Sequence, residues 1–212
     1  MSIKNQFSLL NRYVYFCLRK LTTYTYYKIF LSSLGAKTFI GKPLYITCQH
    51  LSIGHGVYIW PNSRIEGIES YANKTFTPTI FIEDNVSIQQ NLHLTCADEI
   101  IIGKDTAIAA NVTITDINHS YSDIHIPPEK QDLQVEKIKI GEACKIYNNA
   151  VILPGTNLGK HTIIAANSVV LKGIYPSYSV LAGAPAKIIK RYCEITSQWL
   201  PTFPDGTFKN KA

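Results

Sequence analysis

Histidines and polar residues near the middle of the chain offer the side chains best suited to chemistry. His119 lies in the stretch ITDINHSY beside Asp116 and Asn118, and His93 and His125 lie on either side of that stretch. A histidine exchanges a proton near neutral pH and can act as a general base, and it is also a common zinc ligand. These residues alone leave both kinds of chemistry open.

The elements that must position these residues repeat every six positions. The chain reads IEDNVS and IQQNLH, then IGKDTA, IAANVT and ITDINH, and after an interruption it resumes from IGEACK to VLKGIY. The first position of each hexad is aliphatic, at Ile82, Ile88, Leu94, Ile102, Ile108, Ile114, Ile140, Ile146, Ile152, Leu158, Ile164 and Val170. A sustained period of six fits neither a helix nor a single amphipathic strand. It predicts short strands joined by regular turns, each with one aliphatic side chain pointing inward.

Two further columns of the repeat support this prediction. The fifth position is often small or β-branched, at Thr106, Val112, Ala150, Thr156, Thr162 and Ser168. The fourth position is rich in residues that tolerate the left-handed backbone region, as tight corners require, at Asn85, Asn91, Asp105, Asn111, Asn149, Gly155, Asn167 and Gly173. The sequence therefore predicts an all-β protein, a parallel β-helix of stacked coils.

The composition limits which binding partners and which cellular compartment we expect. The 212 residues are 46% apolar and 17% charged, with no apolar run long enough to span a membrane and no secretory signal at the start. The net charge of +6 indicates an anionic partner, but the cations gather near the two ends without a basic stripe, so we expect a phosphorylated small molecule and no nucleic acid. Five widely spaced cysteines without a CxxC pair favour a reducing cytoplasm.

The repeat divides the chain into segments. Residues 1–38 form an aromatic and basic extension that we expect to be partly helical; it either caps the core or contacts the inner face of the membrane. Residues 39–190 form the β-helix, and residues 117–137 interrupt it as a projecting loop beside a ligand groove. Residues 191–212 are expected to form a short helix or a tail.

These features resemble the hexapeptide-repeat acyltransferases, which fold as left-handed parallel β-helices. The resemblance covers approximately residues 40–192 and is most specific in the ending LAGAPAKII, after the last coil. Within that family the chain looks most like sugar and polysaccharide O-acetyltransferases of the galactoside and maltose type. The resemblance implies a homotrimer with active sites between neighbouring subunits, acetyl-CoA as co-substrate, a carbohydrate acceptor and no metal.

The resemblance also implies roles for individual residues. His119 matches the family's catalytic histidine, and Asp116 or Asn118 could orient its imidazole. The positions implied for acetyl-CoA are Asn148, Ala166, Leu171, Lys172, Lys187 and Lys190. The positions implied for the acceptor are Gln89, Asn91, Asp98 and Asn118. The chain departs from the family pattern at Lys145, Tyr147 and Leu171, which leaves the shape of the pocket open.

Three alternatives remain at this stage. N-acetylation of a nucleotide-linked amino sugar is the runner-up to O-acetylation of a surface polysaccharide or lipopolysaccharide precursor. A γ-type carbonic anhydrase would bind zinc between subunits through three histidines, for which His93, His119 and His125 are the candidates, although their spacing and the LAGAPAKII ending fit it poorly. An inactive scaffold is the third alternative, and the presence of His119 argues against it.

Overall fold

Three sheets of mainly parallel strands enclose one core in the computed structural model, which describes residues 3–209. Each coil of the chain adds one strand to sheet 1, then one to sheet 2, then one to sheet 3. Sheet 1 contains Ser33–Leu34, Leu51–Ile53, Thr79–Ile82, Glu99–Ile102, Ile138–Ile140, Thr156–Leu158 and Gly173–Tyr175. Sheet 2 contains Phe39–Ile40, Tyr58–Ile59, Ser87–Ile88, Ala107–Ile108, Lys145–Ile146, Ile163–Ile164, Ser179–Gly183, Ala186–Cys193 and Gln198–Pro201. Sheet 3 contains Tyr45–Ile46, Arg64–Gly67, His93–Cys96, Thr113–Thr115, Val151–Ile152 and Val169–Val170.

The core is a stack of aliphatic side chains from successive coils. All twelve first-position residues of the hexads are at most 2% exposed, as the repeat predicts. Parallel pairing keeps them in register, so that Ile88 lies beside Ile108 and Ile114 beside Ile152. Each buried isoleucine contributes about 2 kcal/mol relative to an exposed one. The stack therefore makes each coil stabilise the next.

The corners between sheets use residues in the left-handed backbone region, as predicted. At the corner between sheets 2 and 3, Asn91, Asn111, Asn149 and Asn167 have φ between 57° and 62°. Their side-chain amides form a ladder, in which each Nδ2 donates to the Oδ1 of the next asparagine at 2.8, 3.1 and 3.0 Å. We call residues 89–92, 109–112, 147–150 and 165–168 the asparagine corner.

The N-terminal extension is helical. Helix α1 spans Ile3–Thr22 and continues through a π-helical turn, Thr23–Tyr27, into a short helical segment, Lys28–Phe30. Arg19 fastens it to the first coil by donating from Nε to the carbonyl oxygen of Ile40 at 3.2 Å and from Nη2 to that of Gly41 at 3.0 Å. Across residues 3–209, no helix combines the length and hydrophobicity needed to cross a membrane.

The C-terminal segment differs from the short helix or tail that the sequence suggests. Ala186–Cys193 pairs antiparallel with Ser179–Gly183, and Gln198–Pro201 pairs antiparallel with Ala186–Cys193. The side chains of the middle strand explain why this segment is a strand. Ile188 and Cys193 are buried, and Tyr192 packs edge-on against Trp199, with 5.7 Å between ring centroids. Aromatic and β-branched residues favour such a pleated, half-buried surface.

Two insertions leave the β-helix at the corner between sheets 3 and 1. The first is a hairpin, Ser70–Tyr71 paired with Lys74–Thr75. The second is the predicted projecting loop, in which Ile117–His119 pairs antiparallel with Leu133–Val135 to form a two-stranded arm. Short 3-10 turns lie at Cys48–His50, before sheet 1, and at Pro128–Lys130, in the arm. We call residues 97–98, 116–137, 153–155 and 171–172 the arm corner.

Candidate active site

His119 is fixed at the root of the arm. Its backbone lies opposite Leu133 in the two-stranded arm, and its side chain is 38% exposed. The ring packs edge-on against Tyr71 of the hairpin, with 5.1 Å between centroids and 75° between planes. Its Nε2 lies 3.9 Å from Oε2 of Glu129, while its Nδ1 is buried without a hydrogen-bond partner among residues 3–209. One ring nitrogen is thus unsatisfied by the chain that surrounds it.

A cavity of about 290 Å³ opens beside this histidine. Its floor is the outer face of sheet 3, where His93 lies opposite Thr113 and Thr95 lies opposite Thr115. The hydroxyl of Thr95 donates to that of Thr115 at 2.8 Å. Hydroxyl groups both donate and accept hydrogen bonds, so this floor suits a ligand that is itself rich in hydroxyls.

His93 belongs to this cavity, which the sequence analysis did not predict. Partial shielding from water, followed by the nearby Arg64 guanidinium, lowers the pKa of His93 below the ordinary value for histidine. The sequence does carry a signal for its position. His93 and Thr113 each directly precede an inward aliphatic residue, Leu94 and Ile114, so both must point outward from sheet 3.

Asp116 has a different role from the predicted one. Its carboxylate is fully buried and accepts hydrogen bonds from the backbone N–H groups of Ala97 and Asp98, both at 2.8 Å, and from the Cys96 thiol at 3.4 Å. Within the described chain it makes no hydrogen bond to His119, because the side chain points into the neighbouring turn. Burial raises the pKa of Asp116, although the hydrogen bonds to its oxygens oppose the rise. Asp116 thus anchors the base of the arm.

The hairpin at residues 70–75 holds the arm in place. The Tyr71 hydroxyl donates to the backbone carbonyl oxygen of Glu129, and Lys74 Nζ lies 2.9 Å from Asp132 Oδ2. The sequence analysis missed this hairpin. Its signal is the gap in the repeat between Ile65 and Ile82, which is longer than two hexads.

The far face of the arm forms a second cavity, of about 300 Å³. Asn118 and Gln134 line it from the arm, and Leu171 and Lys172 line it from the β-helix. Lys172 forms an ion pair with Glu136, which also lines this cavity. The arm therefore separates a cavity with a histidine from a cavity with a lysine.

Asp98 lies at the root of the arm and outside both cavities. Its backbone N–H donates a hydrogen bond to the Asp116 carboxylate, and its Oδ1 lies 3.8 Å from Lys137 Nζ. Lys137 also lies 3.4 Å from Oε1 of Glu99. The carboxylate of Asp98 is therefore part of a local ion-pair network beside the arm.

Other predicted residues lie at the asparagine corner, across sheet 3 from His119. They are Gln89, Asn91, Asn148 and Ala166. Asn91 is part of the amide ladder, and the Asn148 backbone carbonyl oxygen accepts a hydrogen bond from the Asn167 N–H at 3.0 Å. Within one chain the predicted site residues therefore form two separate groups.

Three departures from the family pattern also have defined places. Lys145 Nζ lies 5.3 Å from the centroid of the Tyr147 ring, at the entrance to the asparagine corner, and Leu171 is 43% exposed in the second cavity. The predicted Lys187 and Lys190 are exposed on the strand Ala186–Cys193, where they lie opposite Ala182 and Val180. These lysines thus extend the positive charge of the last coil.

Within one chain, over residues 3–209, the three histidines considered as zinc ligands do not come together. His125 is exposed on the arm and does not line the cavity that His93 and His119 share. Over residues 3–209, no three His, Cys, Asp or Glu side chains come together in a group that could hold a metal ion.

Known proteins share this repeat and fold. A family model described as "Bacterial transferase hexapeptide (six repeats)" matches residues 137–172. The structures of a galactoside acetyltransferase in complex with coenzyme A and of AntD, an N-acyltransferase from Bacillus cereus, superpose with TM-scores of 0.53 and 0.64 at 20% and 17% identity. The superpositions cover 87% and 80% of this chain, and 76% and 87% of those chains. The chain therefore has the left-handed β-helix fold of hexapeptide-repeat proteins, as predicted.

Sequence relatives support the resemblance to O-acetyltransferases. WbbJ of Escherichia coli (strain K12), whose proposed role is O-acetyl transfer in lipopolysaccharide biosynthesis, is 39% identical over 127 residues, which are 57% of this chain and 64% of WbbJ. The galactoside O-acetyltransferase of the same organism is 33% identical over 102 residues, 47% of this chain and 49% of that protein. The chain thus spans less than two thirds of the length of these relatives.

Proposed function

We propose that this hexapeptide-repeat protein transfers an acetyl group from acetyl-CoA to a sugar hydroxyl, with His119 as the general base. The observation that carries the proposal is the position of His119 beside a cavity that Thr95, Thr113 and Thr115 line with hydroxyl groups from sheet 3. A sugar can exchange hydrogen bonds with Thr95 and Thr115 while one of its hydroxyls faces the imidazole. The similarity to WbbJ and to a galactoside O-acetyltransferase supports the same chemistry.

The reaction needs one proton to move twice. His119 takes the proton of the acceptor hydroxyl as the hydroxyl oxygen attacks the thioester carbonyl carbon. The C–S bond then breaks, and the proton passes from the imidazolium to the departing thiolate, which leaves as CoA-SH. The acetyl group goes directly to the sugar oxygen, so no covalent bond to the protein forms.

The cavity across the arm is the proposed place for the pantetheine and phosphate part of acetyl-CoA, while its thioester end reaches His119. Asn118 and Leu171 line it, and Lys172 offers a positive charge at its edge. Lys187 and Lys190, farther along the last coil, suit the phosphate groups as point charges. The ion pair between Lys172 and Glu136 has to open or share its charge when a phosphate arrives.

A trimer would unite the two groups of predicted residues. Asn148 and Ala166 lie at the asparagine corner and cannot reach the arm corner of their own chain, because sheet 3 lies between the corners. In a closed ring, the arm corner of one copy faces another surface of its neighbour. We propose that this surface is the asparagine corner, where the small side chain of Ala166 permits close approach of acetyl-CoA and Gln89 reaches the acceptor.

The proposed acceptor is a polysaccharide or lipopolysaccharide precursor at the inner face of the membrane. The outer side of α1 exposes Leu10, Val14, Leu18 and Leu21, each between 44% and 61%. Residues 1–65 contain eight of the 21 lysines and arginines and none of the 15 acidic residues. An anionic membrane attracts such a segment by about 1 kcal/mol per cation near the surface. We therefore place the protein in the cytoplasm, with α1 lying on the membrane.

An acceptor screen tests the activity itself. Purified protein and acetyl-CoA are mixed with simple galactosides and glucosides, with lipopolysaccharide oligosaccharides and with nucleotide-linked amino sugars, and the release of free thiol is followed. We expect thiol release that depends on a hydroxyl acceptor, with an O-acetyl ester in the product. Transfer only to an amino group would contradict O-acetylation, and stoichiometric zinc needed for the activity would contradict the mechanism.

A further inference from the structure

A groove between α1 and the first coils lies far from the arm. It has a volume of about 730 Å³, within the range of small-molecule sites. Leu9, Tyr13 and Phe16 line it from the helix, and Phe39 and Tyr58 line it from sheet 2. Its walls are therefore almost entirely apolar. Hydrogen bonds of Arg19 and Thr23 hold the helical extension to the first coil.

Two cations complete this groove. Arg12 and Lys20 line it, and both are exposed. The Arg12 guanidinium carbon lies 5.9 Å from the centroid of the Phe16 ring, which places a positive charge directly beside an apolar wall. Residues 1–65 contain no carboxylate that could neutralise these cations, whereas the rest of the chain carries 15 acidic residues against 13 lysines and arginines.

We propose that this groove binds one anionic phospholipid, with its acyl chains between α1 and sheet 2 and its phosphate between Arg12 and Lys20. Acyl chains that pack against Phe16, Phe39 and Tyr58 are removed from water, which favours binding. The phosphate accepts charge-assisted hydrogen bonds from the two cations. The lipid comes from the membrane on which the outer side of α1 lies, so the inference rests on the membrane contact in the proposed function. It goes beyond that contact, because the groove is on the inner side of the helix.

Short-chain lipids below their micelle concentration test the groove without any membrane. Calorimetry would compare dihexanoylphosphatidylglycerol, which is anionic, with dihexanoylphosphatidylcholine, which has the same chains and no net charge. We expect saturable binding of the first lipid and binding of the second that is about tenfold weaker. Absence of saturable binding, or equal binding of both lipids, would overturn the proposal.

Substitutions on two sides of α1 provide matched controls. Cys17 lines the groove, and Leu18 is 57% exposed on the outer side of the same helix. Cys17→Phe should fill the groove and weaken binding of the anionic lipid at least about tenfold, whereas Leu18→Phe should leave it unchanged. Lys20→Gln should weaken binding by a similar factor, with Lys28→Gln as the charge-matched control. Equal effects within either pair would contradict the groove as the binding site.

The thiol of Cys17 gives a second readout in the otherwise unaltered protein. Cys17 is exposed, while Cys48, Cys96, Cys144 and Cys193 are buried, so a maleimide should modify Cys17 selectively. The anionic lipid should slow this modification about tenfold at saturation. Protection that rises with protein concentration and needs no lipid would show a second copy in the groove and overturn the proposal.

Vesicles separate this inference from the proposed function. If wild-type protein sediments with phosphatidylglycerol vesicles but binds no monomeric lipid, the result supports the membrane contact and contradicts only the lipid site in the groove. No residue of α1 lines the two cavities proposed for the substrates, so acetyl transfer to a water-soluble acceptor should be unchanged in Cys17→Phe. Absence of vesicle binding in wild type would contradict the membrane contact and the membrane as the source of the lipid, whereas saturable binding of the monomeric anionic lipid would still support the groove.

Discussion

At the scale of single residues, Asp116 connects protonation with folding. Burial is the main reason that its pKa is raised, so the folded chain holds this proton more tightly than the unfolded chain does. The stabilising contribution of the protonated form is complete below the ordinary aspartate pKa of about 4. It is lost as the pH rises through the higher pKa of the folded protein.

Replacing Asp116 with asparagine tests this coupling. The amide cannot ionise, so we expect the unfolding free energy of wild type, minus that of Asp116→Asn, to fall as the pH rises from about 4 to about 7. Urea unfolding followed by circular dichroism at several pH values measures this difference. A difference that stays constant with pH would contradict the raised pKa.

His119 shows how far residue-level prediction reaches. The family resemblance singled it out, because its place just after a hexad and before the long interruption matches that of the family's catalytic histidine, and in the structure it lines a cavity. Its surroundings were not predictable in the same way. Tyr71 and Glu129 reach it from a separate hairpin and from the tip region of the arm, at distances in sequence that no local pattern encodes.

At the scale of elements, the proposed general base requires an arm that stays in place. Tyr71 contacts both the His119 ring and the Glu129 backbone, so it joins the hairpin to the arm and to the proposed base. A base that shifts by about 1 Å can lose about a hundredfold in rate.

Tyr71→Ala should therefore lower kcat/KM for the acceptor by about tenfold to a hundredfold. The midpoint of thermal unfolding should change little, because the hairpin lies outside the core stack. Tyr121→Ala is the matched control, since Tyr121 lies on the same arm and is 72% exposed. Equal losses of activity in the two variants would contradict a positioning role for Tyr71.

The regular elements were predictable because each column of the hexad has its own physical cause. Inward residues such as Ile114 must be apolar, and corner residues such as Asn111 must accept positive φ. The irregular elements lack such a period. The hairpin at 70–75 and the C-terminal strand that ends at Cys193 depend on packing against distant residues, which the sequence does not display as a repeat.

At the scale of the whole molecule, the proposed active site needs two copies. The arm corner carries His119 and Lys172, and the asparagine corner carries Asn148 and Ala166. Mixing two inactive variants tests this arrangement. One variant carries His119→Asn, and the other carries Ala166→Trp, which should block close approach of acetyl-CoA.

In a trimer reassembled from equal amounts of both variants, about a quarter of the sites combine an intact arm with an intact asparagine corner. We therefore expect about a quarter of the wild-type activity, although each variant alone is inactive. Sedimentation should show the same trimer for every sample. Activity that never exceeds that of the separate variants would contradict a site shared between subunits.

The central claim, that His119 is the base for acetyl transfer, is tested most directly by the kcat of His119→Asn with acetyl-CoA and a hydroxyl acceptor. His125→Asn is the matched control, because His125 is exposed on the same arm and lies outside the cavity. General-base catalysis contributes about a hundredfold to ten-thousandfold, so kcat should fall by that factor in His119→Asn and by less than about twofold in His125→Asn. A kcat near that of wild type in His119→Asn would contradict the account.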